Sequence, residues 1–297
     1  MRIAVIGVGI MGSRLARRLI DAGFEVRGFD ISGEAIAAFE EMGGVAAASP
    51  AEAVAGCEVA LLSLLTSDIA REVCLGANGI ASSTQRPLLV LDATTGRPED
   101  SMATAEGLAA VGIEYADMTV SGNAAVAEQG GLVIMLGGTA DAYQQAVPVM
   151  EVLGRSHHHV GPVGSGARMK LIVNHVLAIN RAALAEGLVV SEMAGLGLES
   201  TLAVLRDSAA YSKAMDLWGD RMVAGDHEQP NARLRQSHKD SKLILEQAVG
   251  LGAPADHIRM VEAALDEGET RGLADKDNSS AIEVIRRRAG IGRVPED

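Results

Sequence analysis

Apolar positions follow two patterns along the first half of the chain. Short continuous apolar runs predict buried strands, and amphipathic stretches between them predict helices. We predict strands over residues 2–6, 25–30, 58–64, 88–92, 113–117 and 131–136, and helices over 11–22, 33–41 and 99–111. Strands and helices alternating at this spacing indicate a mainly parallel α/β sheet covered on both faces, the doubly wound class.

The pattern changes after the glycine-rich segment at residues 161–166. Beyond it, Ala, Leu, Glu and Arg recur at helical spacing, and strand-like runs are almost absent. We predict helices over roughly 167–194, 198–208, 212–223, 232–250, 254–267 and 276–289. The first helix would be about 42 Å long. We expect an α/β domain over residues 1–163 and, joined to it by this long helix, an all-α domain over 164–297 for substrate binding and oligomerisation.

Composition narrows the class of partner. Hydrophobic residues make up 48% of the 297 positions, charged residues 22%, and the formal net charge is −13. An acidic surface repels phosphate backbones, so we expect no nucleic acid partner. The one basic block, Arg286-Arg287-Arg288, is interpreted as a solvated final helix turn.

The apolar segments and the cysteines indicate the cellular compartment that we expect for the protein. The short N-terminal apolar run enters a glycine loop, so we interpret it as a strand and not a signal peptide. Polar residues interrupt the most apolar segment, 171–190, and we expect no membrane span. Cys57 and Cys74 form no disulfide framework. We therefore expect a cytoplasmic protein.

A metal site is not expected. His157, His158 and His159 are consecutive, and successive residues of an extended chain point to opposite faces. We interpret them as surface or strand-edge histidines.

The first predicted strand leads into a glycine motif, Gly7-Val8-Gly9-Ile10-Met11-Gly12. The first glycine allows a tight turn, the second lets the backbone approach a pyrophosphate, and the third permits close packing of helix and strand. The loop therefore predicts a dinucleotide site in a Rossmann-type domain.

Asp30 ends the second predicted strand, eighteen residues after Gly12. A carboxylate there accepts both ribose hydroxyls of NAD and repels the 2′-phosphate of NADP. Ile31 follows it where an arginine would favour NADP. We predict NAD as the cofactor, with NADP as the alternative. Asp30 could instead simply cap the next helix, but Ser32 is better suited to that role.

A second signature opens the long helix. Lys170 and Asn174 follow the glycines of segment 161–166 and, four residues apart, project from one helical face. A lysine beside a nicotinamide can exchange a proton with the substrate oxygen as hydride moves, and an asparagine can orient that oxygen. Without the glycine loop, the pair would be read as a solvated lysine and a helix-bending asparagine.

With these motifs, the chain resembles the β-hydroxyacid dehydrogenase family over essentially its whole length. That family includes 3-hydroxyisobutyrate dehydrogenase, tartronate semialdehyde reductase and the longer 6-phosphogluconate dehydrogenases. The matching segments are Gly7–Gly12, Thr94–Pro98, Asp117–Asn123, Gly161–His175 and Lys239–Ser241.

The resemblance implies catalytic and substrate-binding roles. Lys170 would be the general acid/base and Asn174 its substrate-orienting neighbour. Ser121 and Gly122 would bind the substrate carboxylate. Asn123 stands where the family usually has glycine, and would either add an amide contact or tolerate a left-handed turn.

The resemblance also implies cofactor contacts. Leu64, Leu65 and Thr95 would line the ribose and nicotinamide. Lys239 would lie near cofactor and substrate, with Asp240 fixing its loop. On spacing alone, Ser121-Gly122 is equally well a turn, and Lys239-Asp240 a surface charge pair.

Two further departures concern the pocket. His175 replaces the family's second asparagine, and is either a packed helix residue or a modifier of Lys170. Ala232 lies where relatives often have phenylalanine, which predicts a roomier pocket wall.

We therefore expect an NAD-dependent oxidoreductase that interconverts a small 3-hydroxy acid and its semialdehyde or keto acid, working as a homodimer or homotetramer. The alternatives are an NADPH-dependent reductase of glyoxylate or succinic semialdehyde type, an imine reductase, and a non-catalytic nucleotide-binding protein. Lys170 argues against the imine reductases, which usually replace it, and the pair Lys170 and Asn174 argues against a non-catalytic protein.

Overall fold

The structure is a computed structural model that describes residues 1–292. Two compact units divide the chain, Met1–Lys170 and Leu171 onward. The division falls inside the long helix Ser165–Met193.

Eight strands form the sheet of the first unit. They are β1 (Arg2–Ile6), β2 (Glu25–Phe29), β3 (Val45–Ala46), β4 (Val59–Leu62), β5 (Leu89–Asp92), β6 (Glu114–Ser121), β7 (Leu132–Gly137) and β8 (Gly154–Gly161). Their order is β3-β2-β1-β4-β5-β6-β7-β8, and only β6 and β7 pair antiparallel. The predicted doubly wound, mainly parallel sheet is confirmed, with its strand order reversing between β1 and β4.

Alternate residues of β1 show that both faces of the sheet are covered. Ile3 and Val5 belong to one apolar cluster, whereas Ala4 and Ile6 belong to another. A central parallel strand packed on both faces has no solvated side, which explains the continuous apolar runs in the sequence.

Seven helices of the first unit connect these strands. They are α1 (Ile10–Asp21), α2 (Gly33–Glu41), α3 (Pro50–Ala53), α4 (Ser67–Leu75), α5 (Pro98–Ala109), α6 (Ala124–Glu128) and α7 (Ala140–Leu153). The apolar pattern predicts α1, α2 and α5 but leaves α3, α4, α6 and α7 unassigned, together with strands β3 and β8. Helix α7 contains Pro148, a residue that ordinarily breaks a helix; its start is capped by Thr139, whose side chain accepts the N–H of Ala142.

Between residues 171 and 292 the second unit consists of helices and their connections, apart from an isolated bridge between Arg233 and Asp277. They are α8 (Ser165–Met193, shared with the first unit), α9 (Leu198–Asp207), α10 (Asp220–Ala224), α11 (Leu234–Gly250), α12 (Asp256–Thr270) and α13 (Ala281–Arg288). Where one helix over 212–223 is predicted, a π-helical turn (Met215–Gly219) precedes α10. A 3₁₀ turn (Asn278–Ser280) likewise precedes α13.

The interpretation of the arginine block as solvated is wrong for its first member. Arg286 is fully buried, with Nε 2.8 Å from a Glu192 carboxylate oxygen and Nη1 2.6 Å from one of Glu283. Burying a charge is tolerated only when it is paired in this way. Arg287 and Arg288 are exposed, as expected.

Helix α8 confirms the long helix predicted over 167–194, and it is apolar enough to bear on the question of a membrane span. By length and composition it is the one helix within residues 1–292 that could cross a membrane, and 28% of its apolar window is buried. A single such helix is weak support for a membrane span, because a core helix of a globular protein meets the same conditions.

Candidate active site

The predicted ligand-binding residues of the first unit lie at one edge of its sheet. The carboxyl ends of parallel strands share an edge, and each predicted segment follows such an end: residues 7–12 after β1, Asp30 after β2, residues 64–65 after β4, Thr95 after β5, and residues 121–123 at the end of β6. Parallel sheets bind nucleotides at this edge, where the strand order reverses.

The glycine loop has the geometry that a pyrophosphate requires. Gly7 has a φ of +87°, and a Cβ there would lie 2.3 Å from the Ser63 carbonyl oxygen. A Cβ at Gly12 would lie 1.8 Å from the Gly7 oxygen. At Gly9, by contrast, a Cβ would meet nothing within 4 Å. The fold itself therefore requires the first and third glycines, whereas the space beside Gly9 is open at the N-terminus of α1, as a bound phosphate needs.

Asp30 is tied to this loop. Its carboxylate accepts the N–H of Val8 at 2.9 Å and the N–H of Ser32 at 2.9 Å. Ser32 itself caps α2 by accepting the N–H of Ala35. The carboxylate therefore stands beside the glycine loop, and the alternative that Asp30 caps α2 is wrong.

The loop after β4 is braced by the loop after β5. The N–H of Leu64 donates to Oγ1 of Thr94 at 3.2 Å, and the Leu65 side chain is 68% exposed. Thr94 in turn donates its N–H to Asp92. An exposed apolar side chain on a braced loop suits the flat face of a nucleotide ring.

The segment that is predicted to bind the substrate, residues 121–123, begins where β6 ends. Ser121 is the last residue of that strand, so it is not simply part of a turn. Gly122 has a φ of +144°, and a Cβ there would be 2.7 Å from a Leu132 methyl carbon. Asn123 has an ordinary φ of −90° and caps α6 by accepting the Val126 N–H at 3.0 Å. The left-handed turn considered for Asn123 is therefore wrong.

The start of α8 is held by a buried carboxylate on β6. Asp117 is 1% exposed and accepts the N–H of Gly164 at 2.8 Å and that of Ala167 at 2.6 Å. These are donors that the first turn of a helix leaves without intrahelical partners. Asp117 thereby fixes the helical turn just before Lys170 to the strand that ends in Ser121.

Asn174 and the Lys-Asp motif meet in the second unit. Nδ2 of Asn174 donates to Oδ2 of Asp240 at 3.0 Å, and Nζ of Lys239 lies 3.4 Å from Oδ1 of the same carboxylate. Lys239 and Asp240 lie on α11, as the helix predicted over 232–250 requires, whereas the resemblance had implied a loop. One carboxylate therefore orients both an amide and an ammonium group, an arrangement that the sequence alone left as a surface charge pair.

The histidine triplet lies on the edge strand β8. Nδ1 of His157 is 2.7 Å from the Tyr143 hydroxyl, and the ring of His159 stacks on that tyrosine at 5.1 Å. Among residues 1–292, no cluster of three His, Cys, Asp or Glu side chains has the geometry to hold a metal ion.

Comparison with known proteins agrees with this geometry. The profile of the NAD binding domain of 6-phosphogluconate dehydrogenase matches residues 2–161, and that of the NAD-binding region of NADP-dependent 3-hydroxyisobutyrate dehydrogenase matches residues 164–285. The chain belongs to the β-hydroxyacid dehydrogenase family. It is a nicotinamide-dependent oxidoreductase.

Individual relatives cover almost the whole chain. 2-(Hydroxymethyl)glutarate dehydrogenase of Eubacterium barkeri is 29% identical over 98% of this chain and 97% of its own. 3-Sulfolactaldehyde reductase of Escherichia coli K12 is 29% identical over 97% of each. The structure of Mycobacterium tuberculosis 3-hydroxyisobutyrate dehydrogenase with L-serine superposes with a TM-score of 0.86 at 27% identity, covering 96% of this chain and 99% of that one.

Two side chains of this dehydrogenase, Asp117 and Asp240, make contacts that the sequence did not predict. Asp117 is the first residue of the segment Asp117–Asn123, yet its residue type alone does not reveal that it caps a helix that begins 48 positions later. Asp240 was expected only to fix the backbone around Lys239, and the structure shows that it also accepts a hydrogen bond from Asn174. In both cases the partner is distant in sequence, so only the tertiary structure identifies it.

Asp117 gives the dehydrogenase a measurable pH signature. Burial raises the pKa of its carboxyl from 3.8 to about 6, and the backbone N–H bonds only partly oppose this. Because the folded state binds the proton more tightly, this contribution to the free energy of unfolding is complete below about pH 4 and is lost as pH rises through 6. The loss is on the order of 3 kcal/mol.

We expect Asp117→Asn, which lacks the titration, to show a shallower fall in the free energy of unfolding between pH 4 and 7, measured by urea denaturation. Parallel curves for the two proteins would contradict this.

Proposed function

We propose that this dehydrogenase catalyses reversible hydride transfer between NAD and the alcohol of a short 3-hydroxy acid, yielding the semialdehyde or keto acid. The observation that carries the proposal lies in the first unit. The phosphate loop and the loop of Ser121 open at the same sheet edge, and Asp117 of the same strand fixes the helix that carries Lys170.

The chain's own groups have distinct tasks in this proposal. Ser121 and Gly122 hold the carboxylate through a hydroxyl and a backbone N–H, which places the alcohol carbon a fixed distance away. Lys170 takes the hydroxyl proton at Nζ during oxidation and returns it to the carbonyl oxygen during reduction. Asn174, held by Asp240, orients that oxygen. The nicotinamide, when bound, supplies the hydride acceptor.

The decisive experiment measures nicotinamide reduction at 340 nm with a panel of short acids, namely 3-hydroxyisobutyrate, 3-hydroxypropionate, glycerate, serine, threonate and 4-hydroxybutyrate. Turnover of at least one acid supports the proposal. Intact NAD binding without turnover of any acid, and without reduction of the corresponding semialdehydes, would refute it. The same residues serve either direction, and one relative is named a reductase, so both directions are assayed.

Asp30 supports NAD over NADP. We expect Asp30→Ser to shift the ratio of kcat/KM for NAD to that for NADP at least tenfold toward NADP, because the carboxylate that accepts ribose hydroxyls and repels a 2′-phosphate is gone. Initial rates with both cofactors give the ratio. Asp21→Ser, at the exposed end of α1, is the control that should leave it unchanged. An unaltered ratio in the Asp30 variant would contradict the assignment.

We also propose that the protein is a homodimer or homotetramer. Helix α8 exposes several large apolar side chains, namely Ile172, Val176, Val190 and Met193, each at least half exposed. A helix with apolar residues at these positions buries them against another surface, and a second copy is a ready one. Light scattering at micromolar concentration should give two or four times the chain mass of 30.7 kDa. A mass of 30.7 kDa would refute this.

A cytoplasmic location is part of the same proposal. Cys57 and Cys74 are both free thiols and both buried, as is usual in a reducing compartment. Fractionation of the native host, with detection by antibody, tests the location.

A further inference from the structure

The side-chain amide of Asn123 uses its oxygen in a hydrogen bond within the protein, whereas its NH₂ group is available to a ligand. Its Oδ1 accepts the Val126 N–H at 3.0 Å, which caps α6. Because the oxygen faces that donor, the NH₂ group points away from the helix, and it makes no hydrogen bond to any other residue of the described chain, 1–292. Asn123 therefore presents only donors, directly beside Ser121 and Gly122.

The backbone does not explain an asparagine at this position. Its φ of −90° is open to any residue, and the left-handed conformation that favours asparagine is absent. Serine or aspartate would cap α6 equally well. What asparagine adds is an outward NH₂ group, held in one direction by the cap. Glycine, usual in the family at this position, offers neither group.

We propose that Asn123 is a specificity-determining residue that donates a hydrogen bond to an acceptor oxygen on the carbon next to the substrate carboxylate. This rests on the proposed function, in which Ser121 and Gly122 hold that carboxylate. The next carbon is then one bond from the carboxylate and beside the Asn123 amide. The substrate class is therefore 3-hydroxy acids with an oxygen substituent at C2, preferred over those with hydrogen or alkyl there.

Three acids that differ only at C2 test this. Glycerate carries a hydroxyl there, 3-hydroxyisobutyrate a methyl of similar size, and 3-hydroxypropionate a hydrogen. We expect glycerate to have a kcat/KM at least tenfold above that of 3-hydroxyisobutyrate in the native enzyme, since a site that donates a hydrogen bond discriminates against the analogue without an acceptor. Both enantiomers of each chiral acid are assayed.

Two variants distinguish the hydrogen-bond donor role of Asn123 from its role in capping α6. Asn123→Asp keeps the cap and the side-chain size but replaces the donor by an acceptor, so the ratio of glycerate to 3-hydroxyisobutyrate should fall to about one or below. Asn123→Ser keeps the cap but is too short to reach the substrate, and it should also give a ratio near one. The ratio is the useful quantity because any general effect of the aspartate charge on carboxylate binding cancels.

The outcomes are distinct. A native preference for glycerate that disappears in both variants supports the inference. Turnover of all three acids with similar kcat/KM, or a preference that both variants retain, overturns the inference and leaves the proposed function standing. Failure to turn over any of the three while NAD still binds, together with failure of the wider panel, removes the proposed function and this inference with it.

Discussion

Replacing Lys170 by alanine is expected to lower kcat about a thousandfold, within the range of 10²–10⁴ that a general acid/base supplies. The lysine stands on α8 one turn before Asn174, and the start of the helix is fixed by Asp117. With alanine there, no side chain at this position can take the hydroxyl proton as hydride leaves. Steady-state rates with the best acid of the panel provide the measurement, and calorimetry should show NAD binding within about threefold of the native value.

The controls distinguish loss of proton transfer from loss of structure. Lys170→Arg keeps a positive charge but holds its proton too tightly to exchange it, so its kcat should also fall by at least a hundredfold. Lys242→Ala, an exposed lysine on α11, should retain full activity. If Lys170→Ala kept kcat within about threefold, another group would have to carry the proton and the assignment would be lost.

Replacing Gly9 by alanine is expected to weaken NAD binding about a hundredfold without destabilising the fold. A Cβ at Gly9 meets no protein atom within 4 Å, so it projects into the space where the pyrophosphate approaches the backbone. At Gly12 the same substitution brings the Cβ to 1.8 Å from the Gly7 oxygen. That variant should therefore lose about 1–3 kcal/mol or more of stability, the usual result of overpacking.

Thermal unfolding and calorimetric titration with NAD, performed on both variants, provide the test. Gly250→Ala, at the end of α11 where a Cβ also meets nothing, should leave NAD affinity unchanged. Native NAD affinity in Gly9→Ala would show that the cofactor does not pass beside this glycine. Native stability in Gly12→Ala would show that the loop and α1 can separate at no cost.

Some residues of the candidate site could be predicted from the sequence together with their roles, whereas others could be predicted only as candidates. The glycine motif and Asp30 were recognised because each residue type answers a local requirement, a tight turn or a carboxylate at a strand end. The role of Asn123 stayed open between two alternatives, because its φ and its contact with Val126 cannot be read from spacing. Asp240 was predicted within a helix over 232–250, but its hydrogen bond with Asn174 was missed, because that partner lies far away in the sequence.

Local pattern determined which segments of this protein are strands and helices, because burial on two faces forces continuous apolar runs and burial on one face of a helix forces a period near 3.6. It therefore predicted the doubly wound sheet, the all-helical second unit and a long helix over 167–194, which the structure places at Ser165–Met193. Helix α7 was missed because Pro148 interrupts its pattern, and α3, α4 and α6 were also not predicted.

Tertiary structure decided everything that depends on partners far apart in the chain. Arg286 was expected in solvent and is buried because Glu192, 94 positions away, neutralises it together with Glu283 of its own helix. Asp117 caps a helix that begins 48 residues later, and Asp240 meets Asn174 across 66 positions. A charged or polar side chain is stable in any of several surroundings provided that its hydrogen bonds and charge are satisfied. The sequence shows which charged or polar side chain is present, and only the folded chain shows which partner forms its hydrogen bonds or neutralises its charge.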